Sequence, residues 1–410
     1  MSLTSQHLDP SAASADLSAE ILDPAAARGI LPAWQDLADR ALEPNVFFGP
    51  ELALAGMEHL PGGGHVRLVA VWRGAGPERR LVGALPVVVP RTRHINPFSV
   101  RRAAEFYGTL STPLVDPERL GETLLLILRA LRGSGHAGLL LPFLHAAGPV
   151  AAAWEAVCRR DGIPQVTLGQ HGRALLRSPL PGAEYVRATL ETRRRKEADR
   201  QRRRLADEGD LRFAVAREPD DVRRGLDAFL ALETASWKGQ LGTDLQHAPG
   251  GAAFIRAAAQ SLAARGSFQV ATLALGGTII AAGLVARQGT RAFYIKTTFD
   301  EAFARFSPGL LLTLDLTAHL LDDPAVADAD SIAVADHPMI DRVWTERFAV
   351  ASVLIATRPG GSAAFRAAAA TERLREGAIL RLKAHRVKLR EWRKAAAKYL
   401  ARKGEPKPSA

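Results

Sequence analysis

The chain is poor in cysteine, in aromatic residues and in long apolar runs. Its one cysteine, Cys158, among 410 residues allows no internal disulfide, so a reducing, cytoplasmic setting is the expected one. That thiol sits in the apolar helical pattern Val150-Ala-Ala-Ala-Trp154-Glu-Ala-Val-Cys158 and is a poor nucleophile there. A lone Cys rules out thiolate metal clusters, and the eleven His form no His-x-x-x-His pair, so no metal constellation is expected. A Gly-x-Ser-x-Gly elbow is also missing. No stretch reaches eighteen uninterrupted apolar residues, so no membrane span is expected. Residues 1–27 carry Asp9, Asp16, Glu20 and Asp23 with no cationic start, which does not suit a secretory signal.

What is present is a normal globular mix, 47% apolar and 24% charged, on a chain long enough for two domains. The net charge of +11 is concentrated: residues 361–410 hold fourteen Lys and Arg against four Glu. The high pI therefore describes a tail more than the body.

Residues 1–28 are rich in Ala, Ser and Asp and read as disordered. From Ile30, apolar residues at Trp34, Leu37, Ala38 and Leu42 keep helical spacing, and Gly49-Pro50-Glu51 opens another helix. Val66–Trp72 and Leu81–Val89 read as a strand pair. A helix is expected over Leu120–Arg132, a strand over Gly138–Leu141, a helix over Pro149–Arg159 and a strand near Gln165–Leu168. The second half has a helix over Asp221–Trp237 and strands Phe268–Leu275 and Thr278–Arg287 across the hairpin signal Gly276-Gly277. A strand from Arg291 through Phe293, Tyr294, Ile295, Thr297 and Thr298 follows. Ser307-Pro308 then opens a helix, Leu310–Leu321, as N-cap and first helical residue. A strand Ser331–Ala335, a helix Met339–Phe348 and a strand Val350–Ala356 complete it. Both halves run from helices to antiparallel strands to helix, strand, helix, strand, so one α/β unit is duplicated or two unrelated α/β units follow one another.

Between the halves, eight of the twelve residues Arg193–Arg204 are cationic. Positions 193, 196, 200 and 203 share a helical face, where a phosphate could lie or which simply faces water. On the strand, Lys296 alternates with Tyr294 and Thr298, which places the three on one face.

Leu230-Ala-Leu-Glu233-Thr-Ala-Ser-Trp237-Lys238-Gly239, Gly242-Thr243, Lys296-Thr-Thr-Phe-Asp300-Glu301, Ser307-Pro308-Gly309 and His337-Pro338-Met339-Ile340-Asp341-Arg342 with Trp344 resemble the GNAT-related acetyltransferases of the cellulose-biosynthesis CelD/BcsL type. These are similar in turn to the FemAB group, whose members pair two GNAT-like folds. The resemblance spans about Leu31 to Pro359. It implies an α/β (α+β) fold of two tandem GNAT-like mixed-sheet domains, residues 29–180 being structural or acceptor-binding and 181–360 the acyltransferase, followed by the basic helical tail 361–410.

The activity so implied is transfer of an acyl group, most simply acetyl from acetyl-CoA, to an amine or hydroxyl acceptor, with no metal. The oxyanion would be met by backbone N–H near Tyr294–Thr298 and the pyrophosphate by the start of the next helix. Tyr294, Arg305, Ser307 and Gly309 are the expected donor-binding residues, although Pro308 and Leu310 stand where the family's phosphate loop has small residues. Glu233 is the first choice of base; Asp336 and His337 are the second, and Lys296 would hold an anion or the thioester oxygen. Trp237, Lys238, Asp300 and Trp344 are assigned to the acceptor. The tyrosine acid expected on the helix Met339–Phe348 is missing.

In the tail, Leu382, His385, Leu389, Trp392, Ala396 and Tyr399 repeat at three and four among dense Lys and Arg, a basic amphipathic pattern. Salt-sensitive attachment to an anionic membrane surface is the expectation; nucleic acid is not expected as a partner. Two alternatives stand beside the acyl-CoA enzyme: a FemAB-like aminoacyl-tRNA-dependent transferase, and a non-catalytic GNAT-fold scaffold.

Overall fold

The computed structural model describes residues 16–88 and 100–378. The first half runs β1 (Leu17–Leu22), α1 (Pro24–Gly29), α2 (Leu31–Arg40), α3 (Pro50–His59), β2 (Arg67–Arg73), β3 (Arg80–Val88), β4 (Val100–Ala103), β5 (Leu114–Val115), α4 (Leu120–Gly133), β6 (Gly138–His145), α5 (Pro149–Arg160) and β7 (Gln165–Leu176). The second runs α6 (Gly182–Thr189), α7 (Thr192–Glu208), β8 (Leu211–Ala216), α8 (Pro219–Ala235), α9 (Trp237–Gln240), α10 (Gly251–Ala263), β9 (Phe268–Leu275), β10 (Thr278–Gln288), β11 (Arg291–Phe299), α11 (Pro308–Asp322), β12 (Asp328–Asp330) and β13 (Glu346–Ala356).

All strands join one sheet in the order β1-β2-β3-β4-β6-β13-β7-β12-β11-β10-β9-β8, with β5 beside β3. Reading inward from either edge gives the same plan: four strands linked antiparallel, then a parallel neighbour, β6 or β12. The last strand of each half has crossed over. β13 lies beside β6 of the first half, β7 lies beside β12 of the second, and the two pair with each other at the centre. The mixed sheet is therefore continuous, and neither half completes its own set of strands.

Buried ion pairs fix this exchange. Arg173 on β7 is fully buried and grips Asp330 on β12 with Nε at 2.7 Å and Nη2 at 2.5 Å, while Nη1 donates to the Thr109 carbonyl and hydroxyl. Arg291 and Arg177 share Asp328. A third contact between the halves stacks His145 on Phe348 at 4.1 Å, with Nδ1 of His145 2.5 Å from the buried Glu43.

In the second half, the two faces of the sheet carry different helices. Val222, Leu226 and Phe229 of α8, with Phe254 and Ile255 of α10, pack on Val270, Leu284 and Phe293. On the other face α6, α7 and α11 pack on Leu273, Val285 and Tyr294.

Several expectations need correction. Residues 17–28, read as part of a disordered segment, form β1 and all but the last residue of α1. β1 pairs along β2, and Asp23 caps α1 ahead of Pro24. The strand expected at Ser331–Ala335 is instead Asp328–Asp330, and Ile332 adopts a positive φ of 54° just beyond it. The helix expected over Met339–Phe348 is reduced to the 3-10 turn Ile340–Arg342, and β13 begins at Glu346. Bonds from elsewhere replace its ladder: the Tyr185 hydroxyl donates to the Val343 carbonyl and accepts from Thr345 N–H. The helix Asp221–Trp237 is α8 and α9 divided at Ser236, an extended residue.

Residues 363–378 are helical, with Phe365 and Ala368 buried against the body. The remainder of the expected tail helix, including Leu382, Trp392 and Tyr399, lies outside the described residues. Among the described residues no helix is long and apolar enough to cross a membrane.

Candidate functional site

β11 and β12 pair only from Arg291 to Phe293 against Asp328 to Asp330. Beyond Asp330 the chain leaves the sheet, so the stretch of β11 from Tyr294 onward faces a gap. At the same place β11 carries a bulge: Leu284 lies opposite Lys296 and Val285 opposite Tyr294, which leaves Ile295 as the extra residue. A bulge breaks the alternation of side chains. Tyr294 therefore points into the α11 face, 3.3 Å from the Thr313 hydroxyl. Ile295 and Lys296 both line a cleft on the α8/α10 face. The expectation that Tyr294 and Lys296 share a face fails for this reason.

Two clefts lie on the two faces of the sheet, the smaller reaching Ile295, Lys296 and Ile332 at the gap and the larger lying between α7, the start of α11 and the segment that follows β12. The larger, about 560 Å³, is lined by Arg193, Arg194 and Glu197 of α7, Ser307 before α11, and Met339 and Arg342. α11 points its N-terminus here, so its end carries partial positive charge. Ser307 has a φ of 51° and makes no side-chain cap bond. The cleft takes residues 193, 194, 197, 198 and 201 from α7, whereas the face expected from spacing was 193, 196, 200 and 203. Ala198 and Leu205 are the buried residues of α7 and set its rotation.

The smaller cleft, about 230 Å³, lies on the α8/α10 face among Tyr107, Thr109, Leu245, Phe254, Lys296 and Ile332. Glu233, fully buried on α8, accepts from Leu245 N–H at 3.0 Å and pairs through Oε1 with Lys296 Nζ at 2.8 Å. Behind it the buried Asp244 accepts from the Thr234 hydroxyl at 3.0 Å and stands 2.7 Å from His247 Nδ1. Burial pushes the Asp244 carboxyl up, but the bonds from His247 and Thr234 more than offset this and hold it below the usual range. Tyr107 comes from the first half. It stacks on Phe254 at 5.4 Å, and its ring centroid is 6.0 Å from Lys296 Nζ. Burial, then the negative charge of Glu233 and Asp244, raises its hydroxyl pKa, which keeps the phenol protonated.

The structure brings together Glu233 and Lys296 on one face and Ser307 at the cleft on the other. Gly309 packs under Phe299, where an added Cβ would meet the ring at 3.1 Å. Arg305 turns away, pairing with Glu208 at 2.8 Å and covering Phe306. His337 Nδ1 accepts the Met339 and Ile340 N–H groups and so caps a turn, and Asp336 is exposed at a φ of 58°. Trp344 is fully buried and donates to the Thr317 hydroxyl at 2.9 Å. Asp300 caps the following 3-10 turn, and Trp237 is half exposed. The Lys238 side chain lies outside the described residues.

Tyr107, Thr109 and Asp244 were not singled out from the sequence. The first two lie far from Lys296 in the chain, and no local pattern marks them. A His two to four residues from an Asp was the available sign of Asp244, and it is a weak one.

The equivalent gap in the first half is filled. β4 and β6 pair only at Val100–Arg102 against Gly138–Leu140. Beyond them Ala104, Phe106 and Leu110 are buried, Ser111 N–H donates to the Phe143 carbonyl and His145 N–H to the Thr112 hydroxyl.

Residues 192–332 match the family described as acetyltransferase (GNAT) domain. No curated protein matches the chain. Among solved structures the chain is similar to the C-terminal domain of a lysylphosphatidylglycerol synthetase from Agrobacterium fabrum, at 14% identity over 86% of this chain and 97% of that one, with a TM-score of 0.50. It is also similar to FemX, at 10% identity over 79% of this chain and 95% of that one, with a TM-score of 0.52. At such identities the likeness is one of fold.

Proposed function

We propose that this chain is an acyltransferase that draws an acyl-CoA, most simply acetyl-CoA, from the α7/α11 face and passes the acyl group to an amine or hydroxyl on the α8/α10 face. The observation that carries this reading is the gap between β11 and β12 with a cationic cleft on one side and a buried carboxylate–ammonium pair on the other. Arg193, Arg194 and Arg342, with the start of α11, suit the donor's phosphates. The pantetheine arm would run through the gap. The segment from Ile332 to Pro338 borders both clefts and spans no more than about 25 Å even when extended, so a single arm can bridge them.

The chemistry asks little of the chain. The bulge at Ile295 frees backbone N–H groups from the ladder, and one directed at the gap would hold the thioester oxygen as it gains charge. Glu233 would take the proton from the acceptor. Lys296 pairs with that carboxylate at 2.8 Å, and Tyr107 closes the acceptor cleft. The first half, its own gap filled, would serve to shape the acceptor side. The CelD/BcsL resemblance favours a cell-envelope or polysaccharide acceptor handled in the cytoplasm, and the tail would hold the enzyme near an anionic membrane.

Calorimetric titration with acetyl-CoA tests the donor site. Arg194→Ala and Arg342→Ala should each weaken binding about tenfold, the worth of one exposed charge-assisted contact. Arg305→Ala should leave it unchanged, because that side chain faces Glu208. Absence of acetyl-CoA binding by the unaltered protein, with binding of an aminoacyl-tRNA, would move the assignment to a FemAB-like donor and make α7 an RNA contact.

A further inference from the structure

Lys296 Nζ is itself a primary amine, standing 2.8 Å from a buried carboxylate at the bulge where the donor's carbonyl would emerge. That is the arrangement of a nucleophile beside its base. About a fifth of the Lys296 side chain is exposed, and the exposed part lines the acceptor cleft. Apart from Tyr107 and Thr109 the rest of that cleft is apolar, made by Leu245, Phe254, Leu284 and Ile332 among others, so little water competes for the acyl carbon. We propose that Lys296 is a self-acylation site, modified by the protein's own acyl-CoA when no acceptor fills the cleft. The inference rests on the donor reading given above.

The step balances without a further reactant. The ammonium gives one proton to Glu233, and the nitrogen lone pair then forms a bond to the thioester carbon. The carbon–sulfur bond breaks, and the thiolate leaves with its electron pair and takes the second proton from Nζ. The product is an amide, which neither water nor thiol reverses readily, so the modified lysine is an end state. It removes the positive charge opposite Glu233 and fills part of a cleft of about 230 Å³. Self-acylation would therefore silence the enzyme when donor is abundant and acceptor scarce.

The test incubates the full chain with acetyl-CoA alone, follows acetylation of each lysine by peptide mass spectrometry, and measures acetyl-CoA binding by calorimetry on the same sample. Lys296 should acquire an acetyl group well ahead of the exposed Lys196. Glu233→Gln should slow that step by about 100-fold, the lower range for a lost general base, with acetyl-CoA binding retained as proof of folding. An acceptor, once found, should protect Lys296. Acetyl-CoA binding with Lys296 modified no faster than Lys196 would overturn the proposal and leave the donor reading standing. Absence of binding would overturn both. If Glu233→Gln fails to bind, protection of Lys296 by desulfo-CoA in the unaltered protein decides: modification that continues unprotected is chemical and overturns the proposal.

Discussion

Glu233→Gln should lower kcat by about 10² to 10⁴-fold while leaving acetyl-CoA affinity within a factor of two or so. Glutamine keeps the acceptor for Leu245 N–H and nearly the same volume, so the fold around α8 is preserved. What it removes is the capacity to take a proton. On the proposed reading the donor binds on the opposite face of the sheet, in the cleft lined by Arg193, Arg194 and Arg342, and would not sense the change. The measurement is free thiol released from acetyl-CoA with the best acceptor from a screen of amines and alcohols. A fall of less than about tenfold would remove Glu233 from the base role, and a matching loss of donor affinity would mean that the substitution had disturbed the sheet.

Arg173→Met should be the most destabilising single substitution in the central sheet, by about 3–5 kcal/mol. The guanidinium is fully buried and makes bonds to Asp330 and Thr109, so its removal strands a carboxylate between β7 and β12. Those strands belong to different halves, and the cost should appear as a lower urea midpoint in one cooperative transition. The double variant Arg173→Met with Asp330→Leu should recover much of the loss, because it leaves no orphaned charge. A loss under about 1 kcal/mol, or two separate transitions for the two halves, would contradict the exchanged-strand architecture.

Much of the second half was legible because its local signals agree with its tertiary role. Gly276-Gly277 does turn β9 into β10, and Ser307-Pro308 does begin α11. β12 was misplaced for an instructive reason. The sequence Asp328-Ala-Asp330 has poor strand propensity and Ser331–Ala335 is more apolar, so pattern alone favours the latter. Asp328 and Asp330 are nonetheless buried, since Arg173 and Arg177 from β7 and its end, and Arg291 from β11, reach them from two other places in the chain. No reading of a single segment finds such partners. The bulge at Ile295 was missed similarly, because Tyr294-Ile-Lys296 alternates as any strand does and the extra residue is defined only by β10 opposite. Glu233 and Lys296 stand in the sequence as separate candidates, and nothing in either segment announces the 2.8 Å pairing that the bulge allows. Tyr107 was not legible at all, since it reaches the cleft from the other half.

The central claim is that one donor crosses the sheet between β11 and β12. Hydrogen–deuterium exchange with and without acetyl-CoA tests it most directly. The account predicts protection in residues 190–201 and 307–313 on one face, in 293–299 along the gap, and in 331–342 beside it, with residues 112–116 and 141–150 of the first half unchanged. Protection confined to 104–116 and 141–150, or none in 293–299 despite measured binding, would place the donor elsewhere and contradict the account.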